Sequence, residues 1–113
     1  MTITTETVED VVVATLSGDI DGKTAPDVQQ QLVPMIEANS TLLLDMSGVS
    51  YMSSAGLRVM LLLYRQAASQ DGSIALAGLS EDIQDVMSAT GFLDFFTICS
   101  DVPEGVRKLK GAS

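Results

Sequence analysis

Two adjacent serines, Ser53 and Ser54, are the residues of this chain best placed to do chemistry. An apolar run, Leu42-Leu43-Leu44-Asp45, precedes them, followed by the polar stretch Met46-Ser47-Gly48-Val49-Ser50-Tyr51-Met52. Ala55-Gly56-Leu57-Arg58 and a long apolar segment come after. The pattern reads as a buried strand, a tight loop and a helix that begins at the serines. A hydroxyl at that point has two uses. It accepts a hydrogen bond from the free N–H groups of the first turn, or it is offered to a partner that modifies it. The residues alone leave both uses open for Ser53 and for Ser54.

Other chemistry is excluded by what the chain lacks. It has no histidine, so no Ser-His-Asp or Cys-His constellation and no histidine zinc site exists. Met52-Ser53-Ser54-Ala55-Gly56 is not a nucleophile elbow, because Met52 stands where the first glycine belongs. No G-x-x-x-x-G-K-[ST] loop is present to cradle a nucleotide. The chain is therefore expected to be no enzyme, and to need neither cofactor nor metal. A hydrolase built on Ser54 would lack a base, since the nearest lysine in sequence, Lys23, has no motif tying it to the loop.

The elements that would position the serines are legible around them. Ile3–Glu6 and Val11–Ser17 read as a hairpin of strands turned by Glu9-Asp10, the second rich in β-branched residues. Gly18 to Lys23 is a polar loop, and Thr24-Ala25-Pro26 opens a helix carrying Val28, Leu32, Met35 and Ile36 at near-helical spacing. Pro34 lies inside that helix and predicts a kink or break. Thr41–Asp45 is a strand apolar on both faces. Leu57–Ala68 is a helix with Leu57, Met60, Leu61, Tyr64 and Ala68 on one stripe. Gly72–Ala77 is a strand, and Glu81–Thr90 is a helix with Ile83, Val86 and Met87 inward, stopped by Gly91. Phe95–Cys99 reads as a last strand and Pro103–Leu109 as a last helix. Such alternation implies an α/β layer fold with a mixed sheet and crossover helices in one domain, residues 1–113.

Composition narrows the class of partner. Of 113 residues, 46% are apolar, which is enough for a real core. Net charge is −9, which disfavours nucleic acid and anionic membrane surfaces and favours a partner with a basic patch. No apolar run approaches a membrane span, the N-terminus does not resemble a signal peptide, and the single Cys99 has no internal disulfide partner. These features point to a cytoplasmic protein that is a monomer when free.

Taken together, Gly18-Asp19-Ile20-Asp21, Asp45-Met46-Ser47-Gly48-Val49-Ser50-Tyr51-Met52, Ser54-Ala55-Gly56-Leu57-Arg58 and Ala89-Thr90-Gly91-Phe92 resemble the STAS-domain anti-sigma-factor antagonists over nearly the whole chain. The resemblance implies the STAS fold, a mostly parallel sheet of about five strands with about four helices. It places the family's phosphoacceptor on Ser54, with Asp19, Asp21, Asp45 and Gly56 flanking it. It also implies partner switching. The unphosphorylated form binds an anti-sigma factor that is a serine/threonine kinase and frees its client; phosphorylation abolishes binding, and a serine phosphatase restores it. Arg58 and Leu62 are the candidate partner contacts. Two residues depart from the family pattern: Ser53 replaces the usual Asp before the acceptor and competes with it, and Ala55 replaces the usual Ser or Thr after it. The same fold also suits a non-switching subunit of a lipid or anion ABC transport system, with Ser54 structural.

Against these roles stand plainer ones. Asp19 and Asp21 are turn formers, Asp45 ends a strand and bonds its loop, Leu62 is ordinary packing, and Cys99 is a small buried hydrophobe.

Overall fold

The computed structural model describes residues 1–39 and 41–111. The chain starts as a hairpin of β1 (Thr2–Val8) and β2 (Val11–Ser17), paired antiparallel from Thr2↔Ser17 to Val8↔Val11. Glu9 and Asp10 both take positive φ, 50° and 71°, as a two-residue hairpin turn of matching twist requires. Helix α1 (Ala25–Asn39) then crosses to β3 (Thr41–Gly48), α2 (Ser54–Ala68) to β4 (Ser73–Ala77), and α3 (Glu81–Ala89) to β5 (Thr97–Cys99). Helix α4 (Val102–Gly111) follows. Strands β2 to β5 are parallel, and the sheet order β1-β2-β3-β4-β5 is the chain order.

Strand β3 lies at the centre, and its apolar run is buried on both faces as the sequence implies. Leu42, Leu44 and Met46 join the larger core beneath α1, α2 and α3, while Leu43 joins a smaller one with Val11, Val13, Ala75, Ala77, Cys99 and Val106. Full burial of each leucine is worth about 1.5–3 kcal/mol. Among the described residues, helix α4 is the one helix that packs on the second face. It comes close because Gly105 presents no side chain there: a β-carbon would stand 2.7 Å from Leu43 Cδ1.

Four sequence expectations are corrected. The break that Pro34 predicts does not occur: helix α1 is continuous from Ala25 to Asn39. The carbonyl that loses its helical donor at Pro34 belongs to Gln30, and both residues lie on the exposed side rather than against the core. In α2 the buried stripe is Gly56, Leu57, Val59, Met60, Leu63 and Ala67, with Leu61 and Tyr64 only half-buried and Ala68 exposed. Val86 is 43% exposed, not inward, although Ile83 and Met87 are buried. Phe92–Phe95 is a short 3₁₀ helix, so the last strand is only Thr97–Cys99. Its aromatics are drawn off by side-chain stacking: Phe95 lies 4.9 Å from Tyr64, centroid to centroid, with planes inclined by 17°.

Candidate functional site

The site grows from the loop after β3. Its backbone folds back on the loop after β2 through Ile20, an apolar residue alone between Asp19 and Asp21 and fully buried. The Ile20 N–H donates to the Tyr51 carbonyl (3.0 Å), the Ser53 N–H donates to the Ile20 carbonyl (2.9 Å), and Ile20 and Met52 form an isolated parallel bridge. Gly56 permits this seating, since a β-carbon there would stand 2.5 Å from the Ile20 carbonyl oxygen. The start of α2 is thus held on a second loop by main-chain bonds.

Ser53 and Ser54 divide the two uses of a hydroxyl. Ser53 is the N-cap: it is extended (φ −87°, ψ 179°), and its Oγ accepts the Gly56 N–H at 3.3 Å. Ser54 is the first residue of α2, so the helix begins at the serines as the loop pattern implies, three residues before the apolar stripe that starts at Leu57. Its side chain is exposed and makes no hydrogen bond among the described residues. The N–H groups of Ser54 and Ala55 also lack an acceptor among the described residues. An exposed hydroxyl beside two free main-chain donors suits an anionic group added to that oxygen.

The flanking carboxylates are deployed differently from one another. Asp19 accepts the Ser50 hydroxyl on Oδ1 (3.2 Å), joining the two loops by side chains as well. Asp21 faces α1: its Oδ1 accepts the N–H groups of Lys23 (2.9 Å) and Thr24 (3.1 Å), while its own N–H donates to Thr24 Oγ1 (2.9 Å). Bonds from the Thr24 and Lys23 N–H groups hold the Asp21 carboxyl below its usual pKa. Asp45 is not drawn to Ser54 and does not end its strand as expected; it lies inside β3, where its Oδ1 accepts the N–H (3.1 Å) and hydroxyl (2.7 Å) of Ser47. Arg58 and Leu62 lie exposed on α2. Cys99 is buried, and burial pushes its thiol pKa up. Among the described residues no cluster of His, Cys, Asp or Glu could hold a metal, and no helix is long and apolar enough to cross a membrane.

A model of the STAS domain matches residues 2–105 of this chain. The protein belongs to the STAS family. The anti-sigma-B factor antagonist of Bacillus subtilis is 32% identical over 99 residues, covering 88% of this STAS chain and 91% of that protein. The Bacillus anti-sigma factor antagonist SpoIIAA shares the fold in both its solved forms. TM-scores are 0.73 unphosphorylated (21% identity, 97% of this chain and 99% of that one) and 0.72 phosphorylated (17%, 96% and 99%). A unit of the same fold also occurs in the murine Slc26a9 anion transporter, at TM-score 0.79 and 17% identity, covering 89% of this chain but 18% of the transporter.

Sequence reasoning missed three parts of this STAS site. Ile20 is its keystone, and the signal was a lone apolar residue in a polar loop. Thr24 completes the reciprocal bonding with Asp21, its hydroxyl also donating to the Asp19 carbonyl (2.7 Å). Tyr51 and Val86 stand exposed at 54% and 43%, on a groove that Met52, Leu57, Asp82 and Ile83 also line.

Proposed function

We propose that this protein is an anti-sigma factor antagonist that works by partner switching, with Ser54 as phosphoacceptor. Unphosphorylated, it binds an anti-sigma factor that is a serine/threonine kinase and so frees that factor's client. Phosphorylated, it lets go until a serine phosphatase restores it. The observation that carries this reading is the division of labour at the head of α2: Ser53 is engaged as the cap, and Ser54 is exposed and unbonded. Ser53, the competing acceptor, gives up a capping bond if modified; Ser54 gives up none. The similarity to the Bacillus subtilis antagonist over most of both chains supports the same reading. Its role is regulatory rather than enzymatic, since no histidine exists to activate Ser54.

The physics of the switch follows from charge. A phosphoryl group adds about −1.5 to −2 units and three acceptor oxygens. The helix start favours that charge by roughly 0.3–1 kcal/mol, and the nearby Asp19-Ile20-Asp21 loop opposes it. The two terms are of similar size, so the fold persists and the effect falls on the interface. Covering an unpaired charge there costs several kcal/mol, enough to change affinity by orders of magnitude.

The second reading, a non-switching subunit of a lipid or anion transport system, draws on the shared fold with the transporter unit. Intact mass after incubation with native cell lysate and ATP separates the two. One added phosphoryl group on wild type and Ser53→Ala, absent from Ser54→Ala, is the expected result. No addition to any of the three, with a transport ATPase co-purifying, replaces the first reading by the second.

A further inference from the structure

The acidic charge of this chain is distributed very unevenly. All 15 acidic residues lie outside the segment from Met46 to Gln70, which holds two arginines, Arg58 and Arg65. Helix α2 is therefore a basic island of net +2 on a chain of net −9. Both arginines are exposed, and neither side chain makes an ion pair or hydrogen bond among the described residues, where the ion pairs present are Lys108–Glu104 and Lys110–Glu9.

Helical spacing puts these arginines in line with Ser54. Positions 54, 58, 61 and 65 recur at intervals of four, three and four and so share one face, with Leu62 beside them. Arg58, Leu61, Leu62, Arg65 and Gln66 line one shallow groove on that face. Leu62 is exposed and Leu61 half-buried. A leucine floor between two unpaired guanidinium groups is complementary to apolar side chains flanked by carboxylates.

We propose that this face of α2 is a docking strip for an acidic, leucine-bearing segment of the protein partner, and that a phosphate on Ser54 closes it by pairing with Arg58. The regulatory half rests on the reading of Ser54 given above. Cα–Cβ bonds in a helix tilt toward its N-terminus, so the Arg58 side chain leans over the turn that holds Ser54. An anion at i with a cation at i+4 is the favoured order, and guanidinium binds phosphate through two parallel hydrogen bonds. The phosphate's charge of about −1.5 to −2 then cancels the strip's positive charge and takes Arg58 from the partner. Modification thus removes an attraction as well as adding a repulsion.

The test uses isotope-labelled full-length protein, unmodified or carrying phosphoserine installed at position 54 by translation. The probe is a synthetic peptide of about 14 residues, long enough for partial helicity, with leucines at helical spacing among glutamates. A second peptide has lysines in place of the glutamates. The acidic peptide is expected to shift the amide resonances of residues 58–66, and Arg58→Gln, Arg65→Gln and Leu62→Ser are each expected to weaken it. Phosphoserine is expected to weaken it by ~10-fold or more. In the phosphorylated protein, Arg58→Gln should raise the second pKa of the phosphate, with Arg58→Lys in between. Equal binding of the lysine peptide, shifts centred away from α2, or equal affinity for the phosphorylated form would overturn the proposal. Because no kinase is used, this result is independent of whether lysate modifies Ser54. A positive peptide result with no mass change in lysate would keep the strip and remove the kinase; the reverse would do the opposite.

Discussion

Gly56 and Ile20 meet so closely that a β-carbon on the first would stand 2.5 Å from the carbonyl oxygen of the second. The contact is between main chains, so neither side can swing away. It fixes where α2 starts relative to the Asp19–Asp21 loop, and with it where Ser54 is displayed.

Gly56→Ala is therefore expected to destabilise the protein by about 1–3 kcal/mol, even though alanine is the better helix former. The urea midpoint reports the loss. An unchanged or higher midpoint would mean that the two loops slide apart at no cost.

The two serines should separate in stability. Ser53→Ala loses the cap and should cost about 1 kcal/mol, a fall in Tm of several degrees, whereas Ser53→Asp should recover most of it. Ser54→Ala should stay within about 0.5 kcal/mol of wild type. Thermal melts of the three variants at one protein concentration decide this; a larger loss for Ser54→Ala than for Ser53→Ala contradicts the assignment of the cap.

Phosphorylation should leave the protection of α2 nearly intact. Hydrogen exchange on the Ser54-phosphorylated protein is expected to match the unmodified form from Leu57 onward. Opening of the second helix in the modified form would refute an interface-based switch.

Acid should weaken the fold through Asp21 in the loop after β2 and Glu104 in α4. The folded protein depresses the Asp21 carboxyl through the Thr24 and Lys23 N–H groups, and that of Glu104 through the Ser100 N–H. A depressed folded pKa gives stability that is complete above the unfolded values, about 4, and is lost as pH falls through the folded ones. Asp21→Asn should lower Tm near pH 6 and flatten its decline between about pH 4 and 2. Parallel declines for the two proteins would show that Asp21 contributes nothing to the acid limb.

Much of this was legible in the residues, and the exceptions share a cause. The strands announced themselves through β-branched and leucine runs, and the serines through their place before an apolar helix. The face of α2 did not, because Val59-Met60-Leu61-Leu62-Leu63 surrounds the helix with apolar side chains. Packing against α1 and the sheet, which no local period encodes, chose Leu63 over Leu61. Phe95 and Phe96 have strand-forming side chains, yet the ring of Tyr64, far off in sequence, stacks on Phe95 and meets Phe96 edge-on. At the site, the chain suggested which serine to watch. It did not show that Asp21 would turn toward α1 while Asp19 alone reached across to Ser50.

Because strand order follows chain order, each strand can add to an edge already in place as the chain leaves the ribosome. The growing sheet acquires helices on one side only, since α1, α2 and α3 all share the larger core. Val11, Val13, Leu43 and Ala75 then wait for the final described helix to bring Val106 against them. Until residues 102–111 emerge, the nascent domain carries a bare greasy strip down one side, the kind of surface that recruits chaperones. A stop codon before that helix would leave a sheet fully assembled and permanently sticky.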